Sequence, residues 1–160
     1  MTAFFTSRRI KAQKGFTLIE LVIVMTILGI LGVLSYFGMQ SILPGYRLNG
    51  AIRMVRGDLY NAKMLAAKRN RQYRVVFSAN GYQLQRGTTS SGTFSLDQME
   101  LSRTFADYDG VAVNTGATTS PVFSPRGTVS NVAGPTVTLQ NDAGTQKTIT
   151  ISIAGRIRIN

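Results

Sequence analysis

The sequence predicts an α+β protein: one long N-terminal helix, membrane-spanning in its first half and amphipathic in its second, packed on an antiparallel β-sheet domain. Three observations carry this. No charged residue occurs from Leu21 to Tyr46; apolar residues then recur at spacings of three and four as far as about Arg69; and beyond Tyr73 the period drops to two.

The uncharged run of 26 residues makes roughly 39 Å of helix, against about 30 Å of bilayer hydrocarbon. Leu, Ile, Val and Met fill it on every side, so no polar face is kept for water. A short basic, polar leader, Met1 to Gly15, ends in Lys14-Gly15 directly before Phe16 and the apolar residues. A secretory signal peptide has an apolar core of about 7–15 residues and small residues at its cleavage site; this run is longer, and no such site follows it. One carboxylate, Glu20, lies a turn inside the apolar segment. A charge at mid-membrane costs roughly 2.5–3.5 kcal/mol, and less near an end. Glu20 therefore reads as a functional residue awaiting a partner, or as a helix N-terminal acid favoured by the dipole at the headgroup boundary.

Gly29, Gly32 and Gly38, with Thr26 and Ser35 between them, suit close helix packing, though glycine is also common in membrane helices. Pro44-Gly45 predicts a kink or interruption where the helix leaves the membrane. Beyond it Leu48, Ile52, Val55, Leu59, Ala62 and Ala66 form one apolar stripe, with Arg53, Arg56 and Lys63 off it. Such a stripe packs on the protein's own sheet or against another helix in an assembly.

The strands follow. Tyr73 to Phe77 and Tyr82 to Arg86 flank Ser78-Ala79-Asn80-Gly81, and Asn-Gly is a strong hairpin signal. Gly87 to Thr93 is a Gly/Ser/Thr loop. Met99 to Phe105 and Val111 to Val113 are weaker strands, Asn114 to Pro121 is loop, and Val122-Phe123 leads into a tight turn at Ser124-Pro125-Arg126-Gly127. Val137 to Leu139, a turn at Asn141 to Gly144, and a long last strand from Lys147 make a C-terminal hairpin. In that strand Ile149, Ile151, Ile153, Gly155, Ile157 and Ile159 alternate with polar or small residues, which predicts one buried and one wet face.

Composition narrows the function. Without Cys or His the chain has no disulfide, no thiol nucleophile and none of the commonest metal ligands. It has no phosphate-cradling glycine loop and few carboxylates, so no catalytic residue, cofactor or metal site is assigned and the chain does not read as an enzyme. Asp107 and Asp109, with Asp97 and Glu100 nearby, match no EF-hand spacing and read as a solvated acidic loop. The net charge is +11, with Arg8, Arg9, Lys11 and Lys14 in the leader. The remainder keeps an excess of cations, compatible with nucleic acid, anionic lipid or an acidic partner.

Lys14-Gly15-Phe16-Thr17-Leu18-Ile19-Glu20-Leu21 resembles the class III signal sequence of type IV prepilins and type II secretion pseudopilins. The resemblance implies that a prepilin peptidase removes residues 1–15, cutting between Gly15 and Phe16, and methylates the new amine of Phe16. It implies an assembly helix at 16–45 and a pilin-like soluble domain at 46–160, with the amphipathic helix at 46–70 and antiparallel strands over 73–160. Glu20 would then meet the N-terminal ammonium of a neighbouring subunit, fixing the axial stagger of a helical filament. Implied partners are the peptidase, other pilins or pseudopilins and inner-membrane lipid. The implied location is the bacterial inner membrane, single-pass, with a cytoplasmic N-terminus and a periplasmic domain, and then the filament. The chain departs from the family where Tyr36-Phe37-Gly38 stands in place of the usual proline.

The Phe-Ser-Pro-Arg-Gly turn at 123–127 and the closing Gly155-Arg156-Ile157-Arg158-Ile159 resemble the GspH/FimT group of pseudopilins and minor pilins. Two jobs follow: a subunit of a type II secretion pseudopilus, or a minor subunit of a type IV pilus. The Gly-Arg-x-Arg spacing is similar to the DNA-binding motif of the minor-pilin branch that serves natural transformation, which makes DNA a candidate partner. Arg156 and Arg158 would lie on one face of one strand, roughly 6.6 Å apart, as phosphate-binding guanidinium groups or as solubilising edge guards. Arg126, Lys147 and Arg86 are candidates to extend such a patch.

Overall fold

The computed structural model describes residues 15–89, 91–130 and 134–160; the leader expected at 1–15 lies outside it except for Gly15. The chain divides into two units, Met1–Met39 and Gln40–Asn160.

One helix, α1, spans Leu18–Arg69. It begins because Thr17 caps it: the hydroxyl oxygen accepts the Glu20 N–H at 3.3 Å and leaves the Thr–x–x–Glu spacing of a capping box. Within the first unit the large apolar side chains of α1 are exposed, and the Cβ positions of Gly29, Gly32 and Gly38 face open space. Thr26 and Ser35 donate to the carbonyls of Val22 and Leu31, each at 2.8 Å, so both hydroxyls are satisfied without a partner helix. Of the kink or interruption expected at Pro44-Gly45, the interruption does not occur: α1 runs through Pro44. The helix ends because Asn70 takes a left-handed conformation, φ 51°. The Arg71 N–H then reaches back to the Ala66 carbonyl at 3.2 Å, the terminating bond of a Schellman motif.

In the second unit the apolar stripe of α1 is buried throughout, from Leu48 to Ala66. It packs with the strands of two four-stranded sheets. The first comprises β1 (Tyr73–Ser78), β2 (Gly81–Gly87), β3 (Leu96–Thr104) and β5 (Val122–Phe123), in the order β3-β2-β1-β5. The second comprises β4 (Val111–Val113), β6 (Thr136–Asn141), β7 (Gln146–Ile151) and β8 (Ile157–Ile159), in the order β4-β6-β7-β8. All pairings are antiparallel. The sheets are tied at the β1–β2 turn, where the Asn80 carbonyl accepts the Phe105 N–H and the Ala79 carbonyl accepts the Val113 N–H, at 3.0 and 2.9 Å.

That turn shows what Asn-Gly does here. The hairpin forms with the turn at Ala79-Asn80, and Gly81 is already paired with Ser78 in the ladder. Neither Asn80 nor Gly81 has a positive φ. A Cβ on Gly81 would collide with the Arg103 carbonyl of β3, so the glycine serves close strand approach rather than turn conformation.

On β3 the expected strand begins earlier, at Leu96, and carries two register shifts against β2. The shifts leave Asp97 and Glu100 out of register, and both acids meet Arg86, at 2.7 and 3.3 Å. Glu100 also pairs with Arg69 of α1. Deeper in, Asp58 of α1 accepts the Tyr82 hydroxyl and the Arg103 Nε–H, the latter at 2.7 Å.

The long last strand is two strands. β7 stops at Ile151, the chain turns through Ser152 to Gly155, and β8 returns antiparallel with Ile151 opposite Ile157 and Ile149 opposite Ile159. Gly155 has φ 73°, and its N–H closes the turn on the Ser152 carbonyl at 2.8 Å. Ile153, expected in the buried row, is exposed at the tip. The alternation survived the reversal because paired residues differ by an even number, so odd positions face the core on both strands.

Two outcomes are expected. Gly155→Ala must hold a left-handed backbone and place its Cβ against the Gly127 carbonyl; it should lose at least about 1–3 kcal/mol, read as a lower urea midpoint of the sheet signal. Burial and the hydrogen bond to Asp58 raise the Tyr82 hydroxyl above the ordinary tyrosine value of 10.0, and burial also raises Tyr73. A raised folded-state value favours the protonated form, so this stability is complete below pH 10 and is lost as pH rises above it. Tyr82→Phe should flatten the fall of the urea midpoint on the alkaline side.

Candidate functional site

At the N-terminal end, Gly15, Phe16 and Thr17 precede α1, and Phe16 is 84% exposed. Glu20 sits in the first helical turn as the third residue after the cap. Its carboxylate is exposed and has no cation partner among the described residues. The dipole reading of Glu20 therefore has a geometry here, and it leaves the side chain available to a second molecule. The α1 helix is long and apolar enough to cross a membrane.

The two C-terminal motifs meet. The Ser124–Gly127 turn closes through the Gly127 N–H on the Ser124 carbonyl at 2.9 Å, and the Gly127 carbonyl lies where a Gly155 Cβ would be. Lys63 of α1 lies against both glycines and donates from Nζ to the Gly155 carbonyl at 2.9 Å. One turn earlier, Tyr60 donates its hydroxyl to the Ile157 carbonyl at 3.3 Å. In the β7–β8 hairpin the even residues bond across it: Thr148 and Asn160 exchange N–H···O bonds, and the Ser152 N–H donates to the Arg156 carbonyl while the Arg156 N–H donates to Ser152 Oγ. The odd carbonyls at 155 and 157 therefore point away from β7, and Lys63 and Tyr60 cover them. Lys63 and Tyr60 escaped sequence reasoning because a residue off the apolar stripe reads as solvated; no local pattern marks a carbonyl 92 or 97 positions away.

Arg158 projects from β8, whereas Arg156 lies just before it, in the exit from the turn. Both are exposed, and neither has an acid partner among the described residues. Of the proposed extensions, Arg86 is engaged by Asp97 and Glu100. Lys147 donates to the Asn49 side chain at 2.6 Å. Arg126 is exposed on the Ser124–Gly127 turn. In the acidic loop, Asp109 meets Arg47 at 3.4 Å. The described residues contain no group of three or more acidic, His or Cys side chains placed to hold a metal.

Residues 10–36 match the prokaryotic N-terminal methylation motif, and residues 51–155 match the type II transport protein GspH family. No match was found among curated proteins. Among solved structures, the type IV minor pilin FimU of Pseudomonas aeruginosa shares 17% identity at a TM-score of 0.57, over 71% of this chain and 87% of FimU. The minor pseudopilin EpsH of the Vibrio cholerae type 2 secretion system shares 14% identity at a TM-score of 0.53, over 71% of this chain and 96% of EpsH. These likenesses show a pilin-like fold: a long N-terminal helix packed with antiparallel sheets. With its GspH match covering most of the second unit and a methylation motif at its head, the chain belongs to the GspH family of pilin-like minor pseudopilins and minor pilins.

Proposed function

We propose that the chain is a non-enzymatic subunit of a type II secretion pseudopilus or a type IV pilus, made as a membrane-anchored precursor. Prepilin peptidase cuts between Gly15 and Phe16 and the Phe16 amine is methylated. The domain faces the periplasm, the leader faces the cytoplasm, and α1 passes from inner-membrane lipid into a bundle of sister helices. The observation that carries this reading is the methylation motif over 10–36 on a helix whose described large apolar side chains from Leu18 to Leu43 are exposed and whose one early carboxylate, Glu20, is unpaired among the described residues. A buried carboxylate in a helical bundle needs an opposite charge, and the ammonium of a neighbouring Phe16 supplies it.

Mass spectrometry of the chain recovered from cells expressing the peptidase should find a methylated Phe16 terminus; an intact Met1 end would reject processing. Glu20→Ala should still be cleaved and should enter filaments poorly. Undiminished incorporation would make the protein a tethered domain rather than a filament subunit.

A second reading is favoured by the exposure of Arg156 and Arg158 without acid partners: the subunit contacts DNA at β8. Guanidinium groups match phosphate geometry, and such binding is sequence-independent and salt-sensitive.

A further inference from the structure

The cations of the second unit differ in what engages them. Arg47, Arg69, Arg86 and Arg103 are each engaged by a carboxylate. Arg53, Arg56, Lys68, Arg71, Arg126, Arg156 and Arg158 are exposed and have no acid partner among the described residues. Of these, Arg56 on α1 and Arg156 and Arg158 at β8 are brought together by Tyr60, which links the two elements. Its hydroxyl bonds the carbonyl of Ile157, the residue between Arg156 and Arg158. Its ring carries the Arg56 guanidinium, 5.6 Å from the centroid, within cation–π range.

None of the ion pairs among the described residues lies at the β8 edge of the second sheet. β8 is one of its edges and β4 the other. Asp142, an acid outside every ion pair described here, lies against Gly110 beside β4. No carboxylate pairs with the cations gathered at β8 among the described residues, so a bound anion there displaces no internal salt bridge.

We infer that α1 and β8 build one polyanion-binding face, in which Arg56 acts with Arg156 and Arg158 on the phosphodiester backbone of DNA. This rests on the second reading above and extends it from a terminal motif to a surface shared by two elements. Arg56, held on the Tyr60 ring, and Arg156 and Arg158, which flank the residue whose carbonyl Tyr60 bonds, supply three guanidinium forks. Each is suited to a phosphate oxygen pair.

The test uses the full chain in zwitterionic detergent micelles and a fluorescein-labelled duplex of mixed sequence, with anisotropy followed over a salt series. Each phosphate contact adds about 0.9 to the slope of log affinity against log salt. Arg56→Gln should weaken binding several-fold and lower that slope by about 0.9, and Arg56→Lys should restore most of the slope. Lys68→Gln removes the same charge about 18 Å further along α1 and should leave the slope unchanged. If Arg156→Gln/Arg158→Gln abolishes binding while Arg56→Gln behaves like Lys68→Gln, the helix is not part of the face and the shared surface is rejected, though DNA binding stands. If the wild-type chain does not bind the duplex even at low salt, the DNA reading fails and takes the inference with it. Displacement of the duplex by short-chain phosphatidylglycerol at equal phosphate concentration would make the face a lipid-headgroup surface and overturn the proposal.

Discussion

The apolar stripe of α1 from Leu48 to Ala66 is the constraint on which the second unit depends. It shares one apolar core with residues of both four-stranded sheets, and burial of apolar area is the main favourable term in folding. The small residues Ala51, Ala62 and Ala66 let strands approach the helix, while Leu48, Ile52, Val55 and Leu59 reach into the core between them. Around this seam the polar contacts are of one kind: α1 side chains reach outward to strand groups. Asp58 takes the Tyr82 hydroxyl, Arg69 takes Glu100, and Tyr60 and Lys63 take carbonyls of the last turn and strand. These contacts hold the sheets to the helix in one orientation, which apolar burial alone, being non-directional, does not.

The strand edges show how the unit avoids uncontrolled pairing. The free edge of β8 is covered by Tyr60 and Lys63. β5 is bridged by Val129, and β3 is broken by two register shifts that carry Asp97 and Glu100. Covered, bulged and charged edges are poor templates for strand addition. These edges are closed against strand addition by a neighbouring molecule.

Much of this was legible in the sequence because it rests on period and cap. The uncharged run, the stripe to Arg69 and the first hairpin are local patterns, and the structure keeps each of them. The errors share one origin, the use of a residue's local preference where a distant backbone decides. Gly81 read as a turn glycine and is a strand glycine under Arg103. The row of isoleucines from Ile149 to Ile159 read as one strand, because a hairpin with even offset leaves the alternation intact. Pro44 read as a kink or an interruption, and the interruption is absent: α1 continues through it. For the site, the sequence named Arg156 and Arg158 but gave no sign of Tyr60, whose importance depends on the chain folding back to a carbonyl 97 positions away.

The even offset of the β7–β8 reversal carries a consequence for how this terminus can vary. A slip of β8 by one residue against β7 would flip every side chain on it: Ile157 and Ile159 would turn to water and Arg158 would face the apolar core. A slip of two keeps the parity. A change of length between Ser152 and Arg156 is therefore tolerable only where the bend itself absorbs it and the Ile151–Ile157 partnership is kept; the spacing of the ladder, not the count of residues in the bend, is what this end of the sheet guards.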